Sequence, residues 1–401
     1  MSDFQKLWVG QAVSVFGSLI TRTALPWCAL LFLHARALDM AFLVLADLLP
    51  GFLLGLFAGA WLDKRTKRPV MILSDILRFL LVASIPALAL TGRLSLGYLF
   101  AVAPLMGALS TVFEIAYQSY LPELVESEGL GRANSRLSAS ASVAEICAFS
   151  ASGWLVQTLG GPQALLIDAA TFLVSAVSLA LIRQPDRVLA PTDQSEGLGL
   201  FHEATEGLRF VQGEPTLRAL ALAQVALSLG FSLMGPLILL FMTRTLALEP
   251  KYLGMVFAIG GVTSLLGATL AEPLAKRLGV PRATVLGFAT IPLGMLLVPL
   301  APARSALSYV FLAGNQLLTD PGWTIFDIHQ TTLRQQLAPE QLLSRINAVT
   351  KVGGLGASLV GTLLAGALGD TLGPRPVLFG SVAFLMVAAV LFAKKLSTAC
   401  G

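Results

Sequence analysis

Gly59-Ala-Trp-Leu-Asp-Lys-Arg-Thr-Lys-Arg68 separates two apolar runs, Ala41–Leu62 before it and Val70–Leu90 after it. Each run has roughly the 20 residues a helix needs to cross a hydrocarbon core of about 30 Å. Between them Lys64, Arg65, Lys67 and Arg68 crowd into one short loop, the kind of cationic link that stays on the cytoplasmic face of a membrane. Asp63 ends the first run beside these cations. An acid there can pair with them, and with the positive N-terminus of a neighbouring helix.

Composition agrees with that reading across the whole chain. Of 401 residues, 55% are apolar and 12% charged, against about 25% charged in soluble domains, and the mean hydropathy is +0.78. This excludes an ordinary soluble enzyme, a disordered chain and a nucleic-acid module, despite a formal charge of +4. Cys28, Cys147 and Cys400 lie far apart with no CxxC spacing, so neither a disulfide framework nor a metal centre is expected. No cofactor motif stands out. Gly is never followed by Lys, which removes a phosphate loop, and His202-Glu203 lacks the second histidine of a zinc protease.

Ten more runs follow the same pattern. They are Phe4–Leu33, Leu94–Ile115, Asn134–Thr158, Pro162–Ile182, Ala219–Thr243, Leu253–Ala271, Ala283–Ala303, Ser305–Ile328, Ile346–Gly369 and Val377–Ala393. The expected fold class is therefore an all-α integral membrane protein with twelve transmembrane helices. The first run is too long for a signal peptide and has no small-residue cleavage site. With the N-terminus inside, 18 of the 27 Lys and Arg fall in cytoplasmic segments, 6 in the opposite loops, and Arg22, Arg78 and Lys351 within spans. That bias puts both termini on the cytoplasmic side, and the expected location is the inner membrane of a bacterium.

The halves echo each other. Gln11 and Gly17 recur as Gln224 and Gly230, Lys64-Arg65 as Lys276-Arg277, and Arg132-Ala-Asn134 as Arg345-Ile-Asn347, at offsets of 212 or 213 residues. The expected organisation is a six-helix bundle over 1–182, a cytoplasmic linker over 183–218, and a second bundle over 219–401. Within the linker Leu198, Phe201, Thr205, Leu208 and Val211 recur at helical spacing, as a surface amphipathic helix or a plain linker helix would.

Gly59 to Arg68 resembles the loop signature between helices two and three of the major facilitator superfamily, with Thr66 where that family usually has glycine. Leu121-Pro122-Glu123-Leu124-Val125, Arg132-Ala-Asn134, and Leu333-Arg334-Gln335 with Arg345-Ile-Asn347-Ala348 resemble motifs of its branch of drug, macrolide and siderophore exporters. The resemblance covers essentially the whole chain. It implies two pseudo-symmetric bundles working by alternating access, with Gly59, Asp63, Lys64, Arg65, Lys67 and Arg68 as a cytoplasmic gating loop. Arg132, Asn134, Arg345 and Asn347 would support the conformational change. Ala148-Phe149 stands where drug-exporting relatives carry Gly-Pro. Small-residue stripes, Gly51/Gly55/Gly59, Gly260/Ser264/Ala268 and Gly353/Ala357/Gly361/Ala365, let helices approach closely. They serve either the moving seam of that family or static packing.

Acids within spans cost several kcal/mol to insert. Asp47, Glu114, Glu145 and Asp168, with Arg22 as counter-charge, are the candidate proton- and substrate-binding residues. A buried carboxylate can load a proton at one face and release it at the other. Asp75 and Arg78, three apart, share a helix face and neutralise each other. Asp327 and His329 form a second titratable pair, and Lys351 snorkels. Trp27, Phe231, Phe241, Trp323 and Phe326 line an apolar cavity or face lipid. The expected function is proton-coupled export of an amphipathic, drug-like molecule by a monomer amid membrane lipids. A carrier of lysophospholipids and a non-transporting sensor are the alternatives.

Overall fold

The computed structural model describes residues 2–63, 65–125, 130–184 and 207–400. Its described residues form twelve long α-helices: α1 (Asp3–Trp27), α2 (Ala37–Asp63), α3 (Lys67–Leu90), α4 (Leu96–Leu124), α5 (Leu130–Leu159) and α6 (Gly161–Ala180), then α7 (Pro215–Leu240), α8 (Pro250–Leu278), α9 (Val280–Leu300), α10 (Leu307–Leu337), α11 (Glu340–Leu372) and α12 (Pro374–Cys400). Among the described residues nine helices are long and apolar enough to cross a membrane. The linker is helical over 207–213; the part of the expected amphipathic helix before Gly207 lies outside the described residues. Gly207 sits against the backbone of Arg345 at the start of α11.

The chain forms two compact units, Met1–Asp193 with Glu249–Ala258, and Gln194–Leu248 with Ile259–Gly401. In the first, α1 packs on α5 and α6, α3 on α4 and α6, and α2 on α4. In the second, α7 packs on α11 and α12, and α9 on α10 and α12. Four of the five pairings of the first unit recur in the second.

The internal repeat reaches down to single residues. Both α1 and α7 run into a π-helical turn, Cys28–Phe32 and Phe241–Thr245. A left-handed residue follows each, His34 and Ala247, both at φ 56°. Ala35 N–H then donates to Ala29 O (2.9 Å) and Leu248 N–H to Met242 O (3.1 Å). Gly160 (φ 90°) and Gly373 (φ 80°) break the chain just before α6 and α12, a conformation glycine adopts without steric cost. Every one of these pairs is 213 residues apart.

One expectation needs correction. The tenth and fourth spans were expected to end at Ile328 and Ile115, yet α10 continues to Leu337 and α4 to Leu124. The polar residues that seemed to end these runs lie on one face while the other faces stay apolar, so the helix goes on. The small-residue stripe of α11 serves packing inside the second unit: at Gly361 a Cβ would lie 2.8 Å from Leu229 O, and at Gly353 it would lie 3.2 Å from Val225 on the same helix α7. The stripe on α2 has side-chain positions outside the described residues.

Close approach is strictest at Gly107, where a Cβ would run into the backbone carbonyl of Asp47 on α2. Backbone cannot swing aside as a side-chain tip can. Gly107→Ala should therefore push α2 from α4 at a cost of about 1–3 kcal/mol, read as a lower unfolding midpoint in detergent.

Candidate functional site

Two helices of the first unit, α3 and α6, bring charge into its core. Asp75 and Asp168 are 0% exposed and Arg78 is 4% exposed. Asp75 and Arg78 lie one turn apart on α3, and Arg78 Nη2 donates to Asp75 Oδ1. Asp168 comes from α6, within electrostatic reach of both, and its Oδ1 accepts the Thr171 hydroxyl at 3.0 Å. The missing side chain of Gly17 on α1 leaves room for that carboxylate; a Cβ there would lie 2.6 Å from Asp168 Oδ1. The Arg78 guanidinium is held between two rings, 4.3 Å from the centre of Phe113 and 4.5 Å from that of Phe172, where cation–π attraction is worth most because water is excluded. Asp75 Oδ2, Asp168 Oδ2 and Arg78 Nε have no hydrogen-bond partner among the described residues. The buried cluster holds two carboxylates against one guanidinium, and the exposed Glu114 of α4 also acts electrostatically on Arg78.

The repeat provides an internal control. Moving 213 residues along, Asp75, Arg78, Phe113, Asp168 and Phe172 become Phe288, Ile291, Phe326, Ser381 and Leu385. All five are buried, Phe288 and Phe326 meet edge to face at 5.5 Å, and the Ser381 hydroxyl donates to Gly230 O, the counterpart of Gly17. The same helix triplet is thus built once with ions and once with uncharged side chains. Buried ion pairs rarely stabilise more than well-packed apolar side chains of similar size, so the architecture does not require the charges.

Sequence reasoning grouped Asp168 with Asp47, Glu114 and Glu145 around Arg22; the structure groups it with Asp75 and Arg78 instead. Arg22 acts electrostatically on Asp47, and both are exposed, as are Glu114 and Glu145. Glu114 accepts from Gln118 Nε2 at 2.7 Å. Of the gating loop, the side chains of Gly59, Asp63 and Lys64 lie outside the described residues, as do those of Arg132 and Asn134. Arg65 N–H donates to Leu62 O at 3.0 Å. Lys67 is 1% exposed and pairs with Glu123 at the end of α4. Arg68 donates to Leu179 O (2.8 Å) and Ala180 O (2.6 Å), capping the negative end of α6. These two cations therefore fasten the first unit internally.

The second unit carries a polar pocket of about 470 Å³ between α7, α10 and α11. Asp327 and Arg334 reach it from α10, Gln224 from α7, and Asn347 and Lys351 from α11. Gln330 Nε2 donates to Asp327 Oδ1 at 3.0 Å, and Arg334 Nη2 to the Thr331 hydroxyl at 3.4 Å. The expected Asp327–His329 pair does not form: His329 is buried and its Nε2 meets Ala271 O at 3.1 Å, on another face of α10. Asp320, also on α10, was missed; its carboxylate occupies the space that a Cβ at Gly260 would need. Polar residues recurring every three or four positions along α10 and α11 were the available signal. Trp27, Phe241 and Phe326 are core residues, 1%, 0% and 0% exposed, not cavity or lipid contacts. Phe231 meets Trp323 edge to face at 5.3 Å.

The sequence profile of the Major Facilitator Superfamily matches residues 7–362. The multidrug efflux pump Tap of Mycolicibacterium fortuitum is 31% identical over 376 residues, covering 89% of this chain and 87% of that protein. Tap of Mycobacterium tuberculosis strain H37Rv is 28% identical, covering 89% and 84%. Among solved structures, a bacterial homologue of the iron transporter ferroportin superposes with a TM-score of 0.78 at 22% identity, covering 98% of both chains. The nucleoside transporter NupG superposes with a TM-score of 0.72 at 12% identity, covering 98% of this chain and 99% of that one.

Proposed function

The chain belongs to the Major Facilitator Superfamily, a multi-pass membrane transporter of small molecules, and we propose that it exports amphipathic, drug-like compounds in exchange for protons. The observation that carries this reading is the core of the first unit. Two carboxylates share one guanidinium there, whereas the repeat fills the same positions with the uncharged Phe288, Ile291 and Ser381. A proton taken up by Asp168 or Asp75 brings that cluster to neutrality, and its release restores the surplus negative charge. A charge that changes by one unit inside a helix bundle alters the packing that the bundle prefers, which is what coupling requires.

The names carried by the mycobacterial relatives support efflux as the direction and drugs as the cargo. The Lys and Arg distribution supports an inner membrane location with both termini in the cytoplasm. A single chain carries both halves, so a monomer suffices.

Everted vesicles test the reading. A zwitterionic amphipathic dye supplied outside should accumulate when respiration acidifies the lumen, and a protonophore should abolish the accumulation. Accumulation indifferent to the proton gradient would overturn proton exchange.

A further inference from the structure

The pocket of the second unit is unequal in charge. Arg334 and Lys351 contribute two cations and Asp327 one carboxylate. Asp327 acts electrostatically on Arg334, two turns along the same helix, and is also bonded to Gln330. Among the described residues Lys351 makes no ion pair and no hydrogen bond, although it lies within a long apolar helix on the pocket wall. Its counterpart in the first half, Ser138, carries no charge. A lysine that only snorkelled would send its stem along lipid toward a helix end; this one stands beside Asn347, Thr350 and Gly354 at a polar cavity.

We propose that this pocket binds an acidic group of the transported molecule, a carboxylate, with the Lys351 ammonium as its counter-ion and the Gln224 and Asn347 amides as neutral donors. Arg334 lies in the field of Asp327 and donates to the Thr331 hydroxyl, so the ammonium is the cation of this pocket with no partner among the described residues. An ammonium is a compact charge with three donors and accepts an anion from many directions, which suits cargo of varied shape. A pocket of about 470 Å³ takes one ring system and its acidic substituent, within the range usual for small-molecule sites. The cargo class thereby narrows to amphipathic acids and zwitterions. This rests on the transport reading only in treating the ligand as cargo, because binding is read without any gradient.

The test uses the purified full-length protein in uncharged detergent and two probes, a rhodamine free acid and its ethyl ester, followed by fluorescence anisotropy. The acid should bind about tenfold more tightly than the ester, as a charge-assisted contact provides. Lys351→Gln should remove that preference, read as an acid-to-ester affinity ratio that falls to about one, while Lys351→Arg should keep it. Asp327→Asn should raise acid affinity by releasing Arg334. Equal affinity for acid and ester in the unmodified protein would overturn the proposal, and so would a Lys351→Gln variant that still prefers the acid. Failed export in vesicles beside intact acid preference would overturn the proton-exchange reading alone.

Discussion

Asp168→Asn should reduce proton-driven efflux at least tenfold, while the purified variant still folds and still binds cargo. The amide keeps an oxygen for the Thr171 hydroxyl, which Oδ1 accepts at 3.0 Å, and it occupies the same volume beside Gly17. What it removes is the second negative charge facing Arg78. The remaining Asp75 and Arg78 balance each other, so the cluster no longer has a reason to gain or lose a proton. Counterflow, in which labelled cargo exchanges for unlabelled cargo without a gradient, should survive. Active accumulation in everted vesicles checks the first half of the prediction and counterflow the second. Full gradient-driven uptake by the variant would move the proton site elsewhere, with Asp47, Glu114 and Glu145 the next acids to neutralise.

Arg78→Met should do the opposite kind of damage. It leaves two fully buried carboxylates without their cation and takes the filling from between Phe113 and Phe172. Removing one member of a buried ion pair costs about 3–5 kcal/mol, so the variant should unfold at markedly lower temperature in detergent and accumulate poorly in cells. Neutralising the partners at the same time should restore much of that loss, because the second half shows the uncharged solution: the buried Ile291 stands at the position of Arg78, with buried Phe326 and Leu385 at the positions of Phe113 and Phe172. The triple change Asp75→Asn, Arg78→Met, Asp168→Asn should thus be more stable than Arg78→Met alone, yet inactive in driven efflux. Thermal unfolding compared across the set measures the coupling directly. A triple variant no better than the single one would mean that the ions hold the unit together.

The helices and their duplication were legible in the sequence because both leave signals along the chain. Twenty apolar residues in a row identify a membrane span without reference to any other part of the molecule, and landmarks such as Arg132-Ala-Asn134 and Arg345-Ile-Asn347 reveal a repeat by simple offset. The company each charge keeps was not legible. Asp168 is 93 and 90 positions away from Asp75 and Arg78, and what joins them is the packing of α3 on α6. The Asp75–Arg78 pair, one turn apart, was readable as local geometry, but its third member was not. Span ends failed for a related reason. Asp327 and Arg334 read as punctuation in a linear scan, but on a helix they occupy one face. Their spacing with Gln330 and Thr331 on that face was the overlooked clue.

The π-helical turns at Cys28–Phe32 and Phe241–Thr245 carry a historical consequence. A turn of this kind holds one residue more than an α-helical turn and is rarely tolerated. Finding it at matched places in both halves, each followed by a non-glycine residue at φ 56°, points to a single insertion made before the gene doubled. The ancestor was then a six-helix protein that already had the swelling. Its two descendants kept their coil and parted in chemistry, one retaining ions in its core and the other settling for oil.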